Sequence, residues 1–202
     1  MSTTGSWQLL ALSAVLVTAI AVTYGAQGTR EKGERQLEHD HGTAHAGNQQ
    51  AGASRPFIPR PLTVEHQELH EELLKGTKEP GDVGEAAKAV AELLHPHFVK
   101  EEEYALPPLG LLASLAQGKV TPEMASAIPM ADKLKAELAH MLQEHRSIVA
   151  ALETLAEAAT KAGKSQYARF AEKLKLHAQT EEQVLYPAAI LVGEYLKLKR
   201  SG

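Results

Sequence analysis

The chain of 202 residues contains no cysteine. Disulfides, thiolate-bound zinc and iron–sulfur clusters are thereby excluded, and any metal has to be held by nitrogen and oxygen. Aromatic residues make up only 4% of the sequence, which disfavours a sheet, where aromatic and β-branched side chains concentrate. There is no basic run, and the formal net charge is −4, so nothing points to nucleic acid. Charge is also missing from Met1 to Thr29, within which Trp7 to Ala26 is mostly apolar. A helix of that length spans a bilayer core of roughly 30 Å. No Lys or Arg precedes the apolar run, although a signal peptide normally begins with one. The segment therefore reads as an uncleaved N-terminal membrane anchor, with a signal peptide cleaved near Ala19-Ile20-Ala21 as the alternative. Arg30, Lys32 and Arg35 follow it, a bias too small to assign the side of the membrane.

What is present is helix former: Ala, Leu, Glu and Lys dominate. Residues 30–61 mix Gly, Gln, Ala and both charges and end in the stiff Arg55-Pro-Phe-Ile-Pro-Arg-Pro61, the composition of a flexible linker. Its His39, His41 and His45 read as part of a solvated polar tract. Four helices are expected over residues 62–199. The first runs from Leu62 or Thr63, capped by Thr63, to just before Gly76. The second runs from Asp82 or Gly84 past Glu101 to Pro107-Pro108, with a possible kink at Pro96. The third extends from about Met130 to Ala162 and is closed by Gly163. The fourth runs from about Ser165 to Tyr186, where Pro187 bends or interrupts a tail reaching Leu198. Short connections between them give an all-α, antiparallel up-and-down four-helix bundle.

One phrase occurs twice. His97-x3-Glu101-Glu102-x4-Pro107 is repeated as His177-x3-Glu181-Glu182-x4-Pro187, each residue 80 positions from its counterpart. Glu65-His66 is echoed by Glu144-His145 at an offset of 79. The pattern is an internal duplication of a two-helix unit. Residues four apart share a helix face, so His97 points with Glu101 and His177 with Glu181. All of them fall on apolar seams: Leu62, His66, Leu69 and Leu73; Val90, Leu94, His97, Glu101 and Tyr104; Leu134, Leu138, Met141, His145, Ile148, Leu152 and Leu155; Phe170, Leu174, His177, Glu181 and Val184. Imidazoles and carboxylates in a core must be paired, hydrogen-bonded or bound to metal. Four histidines and two glutamates on four converging seams amount to a dinuclear metal site made by His66, His97, Glu101, His145, His177 and Glu181. Glu102 and Glu182 could replace their neighbours if the helices rotate. His70, His95 and His140 flank the seams, and the pairs Glu92-x2-His95 and Glu137-x2-His140 form a weaker rival set that does not recur in the second copy.

These residues, over about Leu62 to Pro187, resemble the hemerythrin-like, HHE cation-binding domain. The resemblance implies a non-haem, carboxylate-bridged pair of iron ions with an oxo or hydroxo bridge. In it His66, His97, His145 and His177 are terminal ligands, and Glu101 and Glu181 are bridges. Two positions depart from the oxygen carriers of the family. Met141 stands where they have a histidine one turn before His145, and Glu182 follows Glu181 where their last carboxylate is an aspartate five residues after the helix-four histidine. Both departures argue against reversible oxygen carriage. Six protein ligands leave open positions on two six-coordinate ions, where dioxygen, peroxide or nitric oxide bind. The expected function is a metal-binding protein that binds or senses oxygen, related small oxidants or iron. A peroxide-reducing or oxidase enzyme and a zinc-stabilised structural bundle are the alternatives.

Overall fold

The computed structural model describes residues 55–201. The expected anchor over residues 1–29, and residues 30–54 of the expected linker with His39, His41 and His45, lie outside these residues, while Arg60 and Pro61 at the linker's expected end belong to the first helix. Among the described residues there is no strand, and no helix is long and apolar enough to cross a membrane.

Four helical rods form the bundle. The first is α1, Arg60–Gly76. The second is α2, Asp82–Lys100, which widens into a π turn over Glu101–Ala105 and passes through a 3-10 turn, Pro107–Leu111, into the short α3, Leu112–Ala116. The third is α4, Ala127–Lys161. The fourth joins α5, Ser165–Thr180, to α6, Tyr186–Ser201, through a second π turn over Glu181–Leu185.

Helix α1 begins earlier than the expected Leu62 or Thr63, and Thr63 does not cap it. Pro61 lies inside the first turn, where its missing N–H leaves no bond unmade, and the Leu62 and Thr63 amides donate instead to the Pro59 carbonyl, at 2.9 and 3.3 Å. Gly163 does close α4. Its φ of +68° lets the Lys164 amide reach back to the Ala159 carbonyl at 2.8 Å, so the last turn is capped by backbone. Pro96 lies inside α2 without ending it.

Each rod packs on the next, and the fourth returns to the first. At Gly193 a Cβ would lie 2.4 Å from that of Ala131, so α6 approaches α4 as closely as glycine alone permits. Of three apolar clusters in the interior, two flank the predicted site. One contains Leu69, Leu94, Phe98, Ile148 and Leu174. The other contains Tyr104, Leu106, Met141 and Tyr186. On every rod the histidines and glutamates of the predicted site fall between residues of the first cluster and residues of the second, so they form a polar layer across the bundle. At the end of the bundle formed by the α1–α2 and α4–α5 turns, Glu79 accepts hydrogen bonds from Tyr167 Oη at 2.8 Å and from Lys164, clasping those two turns.

Candidate metal centre

The structure brings all six predicted residues together. His66, His97, Glu101, His145, His177 and Glu181 are each buried. They make two groups that could each hold a metal ion: His66, Glu101, His177 and Glu181, and His97, Glu101, His145 and Glu181. Within each group the donor atoms lie within 4.8 Å of one another. Both carboxylates belong to both groups, and each divides its oxygens between them. Glu101 turns Oε2 towards His66 Nε2 (3.7 Å) and Oε1 towards His97 Nε2 (3.3 Å). Glu181 turns Oε1 towards His177 and His66 (3.0 and 3.5 Å) and Oε2 towards His145 (3.5 Å).

Each histidine turns its other nitrogen to a further carboxylate. His66 Nδ1 faces Glu102 at 3.4 Å, His97 faces Glu144 at 2.9 Å, His145 faces Glu182 at 2.9 Å and His177 faces Glu65 at 3.3 Å. The four pairings obey the duplication: His66–Glu102 maps onto His145–Glu182, and His97–Glu144 onto His177–Glu65. An Nδ1–H donating outwards leaves the Nε2 lone pair directed inwards, the tautomer a metal ligand needs. Glu102 and Glu182 thus orient imidazoles on neighbouring rods and stand apart from the donor groups. The seam pattern missed Glu65 and Glu144, although their recurrence immediately before His66 and His145 was a signal.

The residues fit a metal on grounds of this geometry. His66 Nε2, Glu101 Oε2, His177 Nε2 and Glu181 Oε1 are buried without a hydrogen-bond partner, one atom from each member of the first group. The 3.0 Å approach of His177 Nε2 to Glu181 Oε1 lacks hydrogen-bond alignment. Unpaired buried polar atoms cost about 1–3 kcal/mol each, and one cation would serve all four. In the second group, His97 Nε2 and His145 Nε2 lie 2.8 Å apart. With both Nδ1 protons committed to carboxylates, two neutral rings would oppose lone pairs there, so the contact needs an added proton or a cation.

The same field appears in the ionisation of the metal-free groups. Burial lowers the pKa of His177, but Glu181, Glu101 and Glu65 outweigh it and raise it to about 9. For His66 burial is outweighed by Glu181 and Glu101, and for His97 by Glu101 and Glu144, so both are raised. Burial, then the charge of Glu181, pushes Glu101 up. Glu181 is held well below its ordinary value because its burial penalty is overcome by His145, His177 and His66.

The expected seams fail at one place. Val184 is 56% exposed, while Tyr186 is fully buried. In a continuous α-helix Tyr186 would stand about 140° around the axis from Glu181. The π turn at Glu181–Leu185 closes i to i+5 instead, bringing the fifth residue back over the first. Pro187 was the available signal, because a proline cannot complete an α-helical bond to the residue four before it. Tyr186 Oη donates to Glu101 Oε1 and lies 3.4 Å from His97 Nε2 and 3.3 Å from His145 Nε2. Met141 is buried, with its sulfur accepting from Tyr104 Oη at 3.4 Å, so it fills space against that ring. The rival set fares differently: Glu92, His95, Glu137 and His140 are all exposed. His70 is half-buried, its ring 6.1 Å from that of His95.

A four-helix bundle whose mid-section gathers imidazoles and shared carboxylates from all four rods has the construction of a cation-binding bundle. The sequence profile of the hemerythrin HHE cation-binding domain matches residues 59–189, and the chain belongs to that family. No curated protein and no solved structure matches the chain.

Proposed function

We propose that the protein holds two iron ions, one in each donor group, bridged by Glu101 and Glu181, and uses them to bind or sense dioxygen, a related small oxidant such as peroxide or nitric oxide, or iron itself. The observation that carries this reading is the division of each carboxylate's oxygens between two sets of histidines. Four imidazoles and two carboxylates are a nitrogen and oxygen set suited to iron. In this reading His66 and His177 serve one ion, His97 and His145 the other, and Glu65, Glu102, Glu144 and Glu182 fix ring orientation from outside. Bound iron would supply redox chemistry and exchangeable positions. The chain's own contribution is to turn the imidazoles inward, each with Nδ1 facing an outer carboxylate, and to exclude water with Phe98, Met141 and the apolar clusters on either side. The uncharged stretch Met1 to Thr29 supports attachment of this domain to a membrane.

The test is metal analysis with an optical spectrum of the full chain. Two irons per chain, coloured in air, and release from membranes only by detergent are expected. One zinc and no colour would replace the di-iron reading with the structural one. Peroxide turnover of many equivalents per chain, abolished by His145→Ala, would make the protein an enzyme.

A further inference from the structure

Tyr186 is left unexplained by the six donors. Its Oη touches three of the four residues of the His97–His145 group. Ligands at right angles on a six-coordinate ion with bonds of about 2.0–2.2 Å sit roughly 3 Å apart. The edges of this group approximate that figure: 2.8 Å between the two Nε2 atoms, 3.3 Å from His97 Nε2 to Glu101 Oε1, and 3.3 and 3.4 Å from Oη to the two Nε2 atoms. A residue that only steadied Glu101 would need no approach to the histidines.

The duplication points the same way. The counterpart of Tyr186, 80 positions earlier, is Leu106, an apolar residue of the second cluster. The donor atoms of the His66–His177 group correspondingly have no hydrogen-bond partner, whereas three of the four in the His97–His145 group meet a phenol. Resting on the two-metal reading above, we infer that Tyr186 is a further protein ligand, through its phenol oxygen, to the ion held by His97 and His145. The two ions are then chemically unlike, one with an oxygen donor that the other lacks.

In the metal-free protein Oη donates its proton to Glu101. Coordination replaces that hydrogen bond with a bond to the ion, and the proton leaves to water. Burial and the charges of Glu101 and Glu181 hold the phenol neutral in the absence of metal, and a cation at the site reverses that field. Phenolate oxygen is an established ligand type for iron.

The experiment loads the full chain with ferrous iron, oxidises it in air, and records visible absorption and resonance Raman spectra. A phenolate-to-iron charge-transfer band with tyrosinate ring vibrations is expected. Both should be lost in Tyr186→Phe, with two irons still bound, and kept in Tyr104→Phe. Should Tyr186→Phe fail to fold, ring-deuterated tyrosine in the unmodified chain must shift those vibrations. Two irons without tyrosinate vibrations, or vibrations that survive Tyr186→Phe, overturn the assignment alone. A chain that takes up no iron overturns the di-iron reading with it.

Discussion

The His66–His177 group and the His97–His145 group have the same donors in duplicated positions, yet they look out on different neighbours. Phe98 stacks on His66 with ring centres 4.1 Å apart, and its counterpart 80 positions on is Ala178. On the other side Tyr186 lies parallel to His145 at 5.7 Å, and its counterpart is Leu106. Divergence has therefore spared the donors and their outer carboxylates and fallen on the residues around them. The shared pattern fixes the two donor groups, and the unshared neighbours make them unequal.

The largest effects are expected from removing what both groups hold in common. Glu181→Ala or Glu101→Ala should abolish binding at both groups, so that metal analysis falls from two ions to none. Each should also lower stability by about 3–5 kcal/mol, because buried partners are left uncompensated. His66→Ala should empty only its own group and leave one ion bound. Loss of both ions from His66→Ala would show that the groups cannot be separated.

A milder set of substitutions acts through ring orientation. Glu144→Ala and Glu182→Ala should weaken metal at the His97–His145 group by about 10–100-fold, and Glu65→Ala and Glu102→Ala should do the same at the other. Chelator competition would measure each. If one pair had no effect while its duplicate did, the outer shell would be as asymmetric as the aromatic surround.

The smallest effect is expected from the clasp outside both groups. Hydrogen bonds from Lys164 and Tyr167 depress the pKa of Glu79 below its ordinary value. A carboxylate lowered on folding stabilises above its unfolded pKa, and that contribution is lost as pH falls through the folded value. Glu79→Ala should thus lower the denaturation midpoint slightly near neutrality, with the difference from the unmodified chain vanishing in acid. Metal content should stay at two ions. A change in it would mean that the turns and the centre are coupled.

Much of this was legible because seam and repeat are properties of spacing. The convergence of the six side chains, the four rods and the close of α4 at Gly163 all follow from residues four or three apart and from a glycine that can turn left-handed. Tyr186 was not legible, since a helical period assumes an unbroken α-helix and the π turn after Glu181 inserts a phase change. The same phase change put Val184 outside, although the period had placed it in the core. The start of α1 was misplaced because proline stops a helix from within but is at home in its first turn. The outer carboxylates were hidden for another reason. Each pairs with a histidine on a different rod, and sequence spacing along one helix carries no information about its neighbour.

Each donor group takes two residues from the first copy of the repeat and two from the second. Neither half of the chain contains a complete group, so an ion bound in either would cross-link the halves. A cation held by both His66 and His177 would close a loop of over a hundred residues. In a chain that has no cysteine, this is the role a long-range disulfide would otherwise fill. A disulfide closing a loop of about 100 residues removes roughly 4.7 kcal/mol of unfolded-chain entropy. A bound ion differs in that its restraint can be withdrawn, so the hold of one half on the other would rise and fall with the supply of metal.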